Sequence, residues 1–142
     1  SVFQDTYLNG ILECLSKTNH FEECYMFMQG WWSIKNSSIN PDNYEVVELF
    51  RLIKTHIIGT DCSMRINISY QLREAVLMEY RDVTENGKAT TQLYTLLGDV
   101  ADELKMTLRE HIVVVFNQER VVVHCQRVTA LLRVGLVIGR DV

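Results

Sequence analysis

His20 and Cys24 stand four residues apart in a stretch with helical spacing, which would set both side chains on one helix face, with Cys14 on the helix before it. Imidazole and thiolate are the ligands zinc prefers, but a closed site takes four of them. The chain offers no Cys-x-x-Cys or His-x-x-x-His pair to complete one. Packing and helix capping account for these residues, so no metal ligand is assigned. His111 and His124 are the other imidazoles for acid-base work. Neither has a serine, cysteine or carboxylate at a hydrolase-like spacing, apart from Cys125 beside His124. That thiol sits in an apolar run, where desolvation opposes the thiolate. The seven glycines form neither a G-x-G-x-x-G turn nor a P-loop. No catalytic residue, cofactor or nucleotide site is expected, and the chain reads as a non-enzyme.

Trp31 and Trp32 are the residues best suited to binding. Neighbouring positions on a helix point about 100° apart, so when one tryptophan enters a core the other turns toward an edge, where Trp commonly anchors partner contacts. Both are candidate partner-binding residues, and the exposed one is the expected anchor.

Stepwise hydrophobic spacing defines the elements that must hold them. Leu8, Ile11, Leu12 and Leu15 recur as one helix face. Asn19 followed by Glu22 has the form of a capping box, opening a second helix from about His20 to Ile34 that would bury Phe21, Cys24, Tyr25, Met28 and Trp32. Asn40-Pro41 reads as an N-cap with proline in the first turn. The third helix would then run to about Ile57 and bury Val46, Val47, Phe50 and Ile53 or Ile57. Met64, Ile68, Leu72, Val76 and Tyr80, spaced by four, predict a fourth helix to about Arg81, which would include Asn67. Thr84 to Lys88 is the strongest turn signal and reads as a helix-helix connection. Thr90 or Thr91 would cap a fifth helix with Leu93, Leu97, Val100, Leu104 and His111 on one face. Beyond it, Ile112 to Phe116 and Val121 to Val123 are rich in β-branched residues. They read as a helix continued to about Phe116 and a last one from about Glu119 to Val137, with a short β-hairpin near 112–125 as the alternative.

At 142 residues, with 47% hydrophobic and 23% charged side chains, the chain is long enough to bury a core as one domain. It reads as a fragment of a larger protein. It has no run of 18 apolar residues, which argues against a membrane span. The net charge of -4 weighs against a nucleic-acid footprint. The acidic excess lies in the first part of the chain, where residues 1–64 carry eight acidic and four basic side chains, and Arg120, Arg127, Arg133 and Arg140 give the far end a basic edge. The four cysteines (Cys14, Cys24, Cys62, Cys125) and the sequons at Asn36 and Asn67 would suit a secreted, disulfide-linked helical protein. The cysteines nevertheless lie in apolar helical stretches, where a free thiol behaves as a small hydrophobe, and the reduced, intracellular reading is preferred.

Tyr7 to Tyr44 resembles one unit of the pentatricopeptide or tetratricopeptide class of helical repeat. The likeness rests on the aromatic start, Asn9 with Ile11-Leu12 on a first helix, Lys17 to Asn19 in the turn, Glu22-Glu23-Cys24 and Met26 to Met28 on a second, and Ile39 to Asp42 leading onward. It covers about a quarter of the chain. No second unit follows, and Trp31-Trp32 stands where that class has small or polar residues, so no base-reading position carries over. The resemblance implies a surface that binds peptide segments or RNA bases, and the acidic N-terminal half favours protein. The expectation is an all-α domain of five to seven helices stacked as antiparallel hairpins. It would act as an intracellular, cytoplasmic or nuclear scaffold or adaptor with protein partners and no membrane. A secreted cytokine-like bundle is the alternative, and an RNA-binding helical repeat the next.

Overall fold

The computed structural model describes residues 5–18, 20–36, 44–59 and 64–119, and no strand occurs among them. Helix α1 spans Thr6–Thr18, α2 Glu22–Asn36, α3 Tyr44–Ile53, α4 Tyr70–Asn86 and α5 Thr91–Glu119, and a π-helical turn, Lys54–Ile58, prolongs α3. The all-α class inferred from the hydrophobic periods is the class of the structure. The capping residues Asn19 and Asn40 and the expected last helix beyond Glu119 lie outside the described residues.

Asp5 starts α1: its Oδ1 accepts the amides of Tyr7 and Leu8, each at 3.0 Å, satisfying two donors that the first turn leaves unpaired. Leu8, Leu12 and Leu15 are buried, with Ile11 packed at the edge, as the spacing requires. The chain then reverses through His20, in the left-handed region at φ 63°, while the Phe21 amide donates to the Ser16 carbonyl at 3.0 Å. Helix α2 therefore begins at Glu22 rather than His20.

Cys24, Tyr25, Phe27, Met28, Trp31 and Ile34 are all buried on α2. Their directions cover much of its circumference, as expected for a helix enclosed by neighbours, and α2 does pack against α1, α3 and α5. Gly30 permits the approach of α3, since a methyl group there would come within 2.6 Å of Leu52 Cδ2. That contact sets the rotation of α3. Leu49, Leu52, Ile53 and Ile57 face inward, whereas Val47, expected in the core, is 60% exposed and Phe50 is only partly buried. Apolar residues on two sides of this short helix made the spacing compatible with either face.

The fourth helix also begins later than expected, at Tyr70 instead of Met64. Residues 65–69 form no helix because their backbone is pinned to the π-helical turn. The Ile66 amide donates to the His56 carbonyl at 3.0 Å, His56 Nδ1 lies 2.7 Å from the Met64 carbonyl, and the Arg73 guanidinium donates to the carbonyls of Ile57 and Ile66. Asn67 is thus exposed outside any helix. Glu103 of α5 then caps α4, accepting the Ser69 amide at 3.0 Å and its hydroxyl at 2.7 Å. At the other end Gly87, at φ 68°, closes α4 in the left-handed region. The Lys88 ammonium reaches back to Glu79 at 2.7 Å. Helix α5 continues through 112–119, which excludes a strand over the first part of the alternative hairpin; residues 120–125 are outside the described set.

Contacts also fix the helix directions. Phe27 meets His56 while Gly30 approaches Leu52, Phe50 meets Tyr80 while Ile57 meets Arg73, Glu79 meets Lys88 while Ser69 meets Glu103, and Trp31 meets Tyr94 while Cys24 meets Leu104, so each pair runs up one element as it runs down the next. Helices α2 to α5 consequently alternate up and down. α5 returns against α2 and closes a four-membered ring, and among the described elements α1 packs on α2. That arrangement is a helical bundle; stacking in the manner of an open helical repeat, where α2 and α5 would not meet, is not what these contacts establish.

Candidate functional site

Where α2 and α5 run antiparallel, their side chains leave a cleft of about 310 Å³ lined by Met28, Trp31, Trp32 and Lys35 from one helix and Tyr94, Thr95, Gly98, Asp99, Ala101 and Asp102 from the other. Trp31 forms its floor. It is 6% exposed, and its ring lies 4.9 Å from that of Tyr94, tilted by 43°. Trp32, about 100° further round the helix, is half-buried and forms a wall. The expectation that Trp32 would be the core residue is therefore reversed: α5 packs on the face that carries Met28 and Trp31. Tyr94 is 40% exposed, enough to present part of its ring to solvent.

Polar groups occupy the rim. Asp99 and Asp102 are exposed one turn apart on α5, and Lys35 is exposed near the end of α2. Among the described residues, the carboxylate of neither aspartate forms an ion pair or hydrogen bond. The cleft thus has an aromatic interior, and its described charged rim residues are Lys35, Asp99 and Asp102. A methyl group built on Gly98 would meet only Trp31 Cζ2, at 3.7 Å, so this glycine leaves the floor open without being required by packing.

The other candidate residues are not assembled. His20 lies outside α2 and is exposed, Cys24 is buried, and Cys14 is exposed on α1. The spacing that suggested a shared face fails because the helix starts after His20. Cys14 and Cys24 are free thiols. Burial pushes the Cys24 thiol up to about 12, and its Sγ lies 3.6 Å from the Leu104 carbonyl. No group of three or more His, Cys, Asp or Glu suited to a metal occurs among the described residues. His111 stacks on Phe21 at 4.9 Å; His124 and Cys125 lie outside the described residues. The sequence reading missed Tyr94, Asp99 and Asp102. Their signal was present as a second line beside the core stripe of α5, where Tyr94, Gly98, Ala101 and Asp102 follow one another at helical spacing.

No family model matches this chain, and no match is found among curated proteins or solved structures. No helix among the described residues is long and apolar enough to cross a membrane.

Proposed function

We propose that this bundle is a non-enzymatic scaffold or adaptor domain that captures a protein partner inside the cell, as part of a larger assembly. The observation carrying this reading is the α2/α5 cleft, where a half-buried Trp32 and a partly exposed Tyr94 stand over a buried Trp31. Aromatic side chains at the edge of a preformed concavity provide large contact area at small cost in side-chain entropy, the usual chemistry of an interface hot spot. The acidic rim and the net charge of -4 suit a partner with a basic contact region better than nucleic acid.

Affinity capture from cell extract tests this with the whole chain as bait. Trp32→Ala should reduce recovery of the bound protein about fivefold or more, the change expected for loss of roughly 1 kcal/mol, while the melting transition moves little. Recovery should survive nuclease treatment and fall with added salt. Capture indifferent to Trp32, or bound material that proves to be RNA, refutes the scaffold reading.

A further inference from the structure

We propose that Asn86, in the exposed turn that joins α4 to α5, is a deamidation site of the native chain, and that Asn9, which stands before a glycine in the same way, is kept silent by the fold. The chain has two Asn-Gly pairs, Asn9-Gly10 and Asn86-Gly87. In such a pair the backbone nitrogen of glycine attacks the Cγ of the asparagine side chain. A C–N bond closes a cyclic imide, the side-chain amide leaves as ammonia, and water opens the ring to aspartate or isoaspartate. Glycine favours the attack because it has no side chain to hinder it. Water is the co-reactant, and no redox step is involved. By sequence the two pairs are equally reactive.

The structure separates them. A helical side chain leans toward the N-terminus, away from the nitrogen of the next residue, so attack waits until the helix opens at the asparagine. At Asn9 that means opening the interior of α1. Its Oδ1 also accepts the hydroxyl of the buried Tyr25 at 2.6 Å, which holds the carboxamide against α2. Asn86, by contrast, is the last residue of α4, and Asn86, Gly87 and Lys88 are all exposed. There the helix end has only to fray: the Gly87 and Lys88 amides release the Asp82 carbonyl, and the Asn86 side chain leaves Asp82 Oδ1, a contact of 3.3 Å. Fraying ends lie at the low end of local unfolding free energies.

The product bears on the fold. A carboxylate in place of the Asn86 amide stands beside Asp82 at the C-terminal end of α4, where the helix dipole disfavours negative charge. An isoaspartyl link lengthens the main chain by one carbon just ahead of the left-handed Gly87 and of Lys88. It would displace the Lys88 ammonium from the buried Glu79, whose Oε2 has no hydrogen-bond partner among the described residues.

Ageing of the intact chain under native conditions and in urea tests the proposal, with peptide mapping by mass spectrometry and enzymatic methylation of isoaspartate. In urea the two sites should react at similar rates. In the native chain Asn86 should react more slowly than in urea, yet faster than Asn9 by about tenfold or more, because the interior site waits on a larger opening. Asp82→Ala should speed the reaction at Asn86 alone, and Tyr25→Phe the reaction at Asn9 alone. Native chain carrying isoaspartate should melt below fresh chain. Equal native rates at the two sites, a faster Asn9, or an Asn86 that reacts in urea and stays intact in the native chain overturns the assignment. Rates indifferent to both substitutions overturn the account of what closes each site, and unchanged melting of the modified chain overturns its structural consequence.

Discussion

Gly87 sits at φ 68° where α4 ends, a conformation that costs an L-residue about 1 kcal/mol and glycine almost nothing. Gly87→Ala should therefore lower the unfolding free energy by about 1 kcal/mol in urea titrations. His56 gives a pH signature. Burial holds its pKa below the usual 6.5, and the hydrogen bond to the Met64 carbonyl offsets this only in part. Between that lowered value and 6.5 the unfolded chain binds the proton more readily than the native one. Its contribution to stability is therefore complete above 6.5 and declines as pH falls through that window. Replacing His56 with glutamine should flatten this part of the stability profile, even if it lowers stability throughout. The cysteines provide a third check. Site-resolved thiol labelling of the native protein should modify Cys14, which is exposed, and reach Cys24 only on unfolding, since that thiol is buried and pushed up to about 12.

The start of α4 depends on another helix. Ser69 has no side-chain cap of its own, and the carboxylate of Glu103 supplies the acceptor across the bundle. Glu103→Ala should cost about 1 kcal/mol and loosen the first turn of α4, visible as faster amide exchange around 70–73. Along the same helix Val76 is fully buried, whereas Leu72 packs at the margin. Val76→Ala should cost roughly 2 kcal/mol through lost burial and the cavity left behind, and Leu72→Ala less than a full core leucine would. The i, i+4 spacing placed both on one stripe, but the groove at the α4/α5 edge, lined by Leu72, Ala75 and Met106, leaves the stripe half open there. A sequence period reports which residues share a line and not how far a neighbouring helix covers it.

Closure of α2, α3, α4 and α5 into a ring makes α2 and α5 the shared walls of the core, while among the described elements the principal contacts of α1 are with α2. Native-state hydrogen exchange should then release the amides of α1 before those of α2 and α5, because fewer apolar contacts must be broken to open it. Exchange of α1 as slow as that of α5 would show that the docked helix and the ring unfold as one unit. The same closure brings Trp31 against Tyr94, some sixty residues away in the chain, and makes the cleft. A partner bound there would stabilise both walls, so saturating partner should raise the melting temperature of the wild type and much less that of Trp32→Ala.

Helix existence was legible from local order: the leucines of α1, the Leu93 to Leu104 stripe of α5 and the turn around Asn86-Gly87 follow from periodicity and backbone preference, which act over a few residues. So was the rule that one of two adjacent tryptophans must leave the core. Which one leaves was not, nor which face of α3 is buried, nor where α4 begins. Each of those was decided by a neighbour distant in sequence: α5 packing over Trp31, Leu52 against Gly30, and the π-helical turn holding Ile66. The pairing of an aromatic wall with Asp99 and Asp102 likewise belongs to the tertiary structure, because α2 and α5 meet only when the bundle closes and long-range burial outweighs the local preferences that a sequence displays.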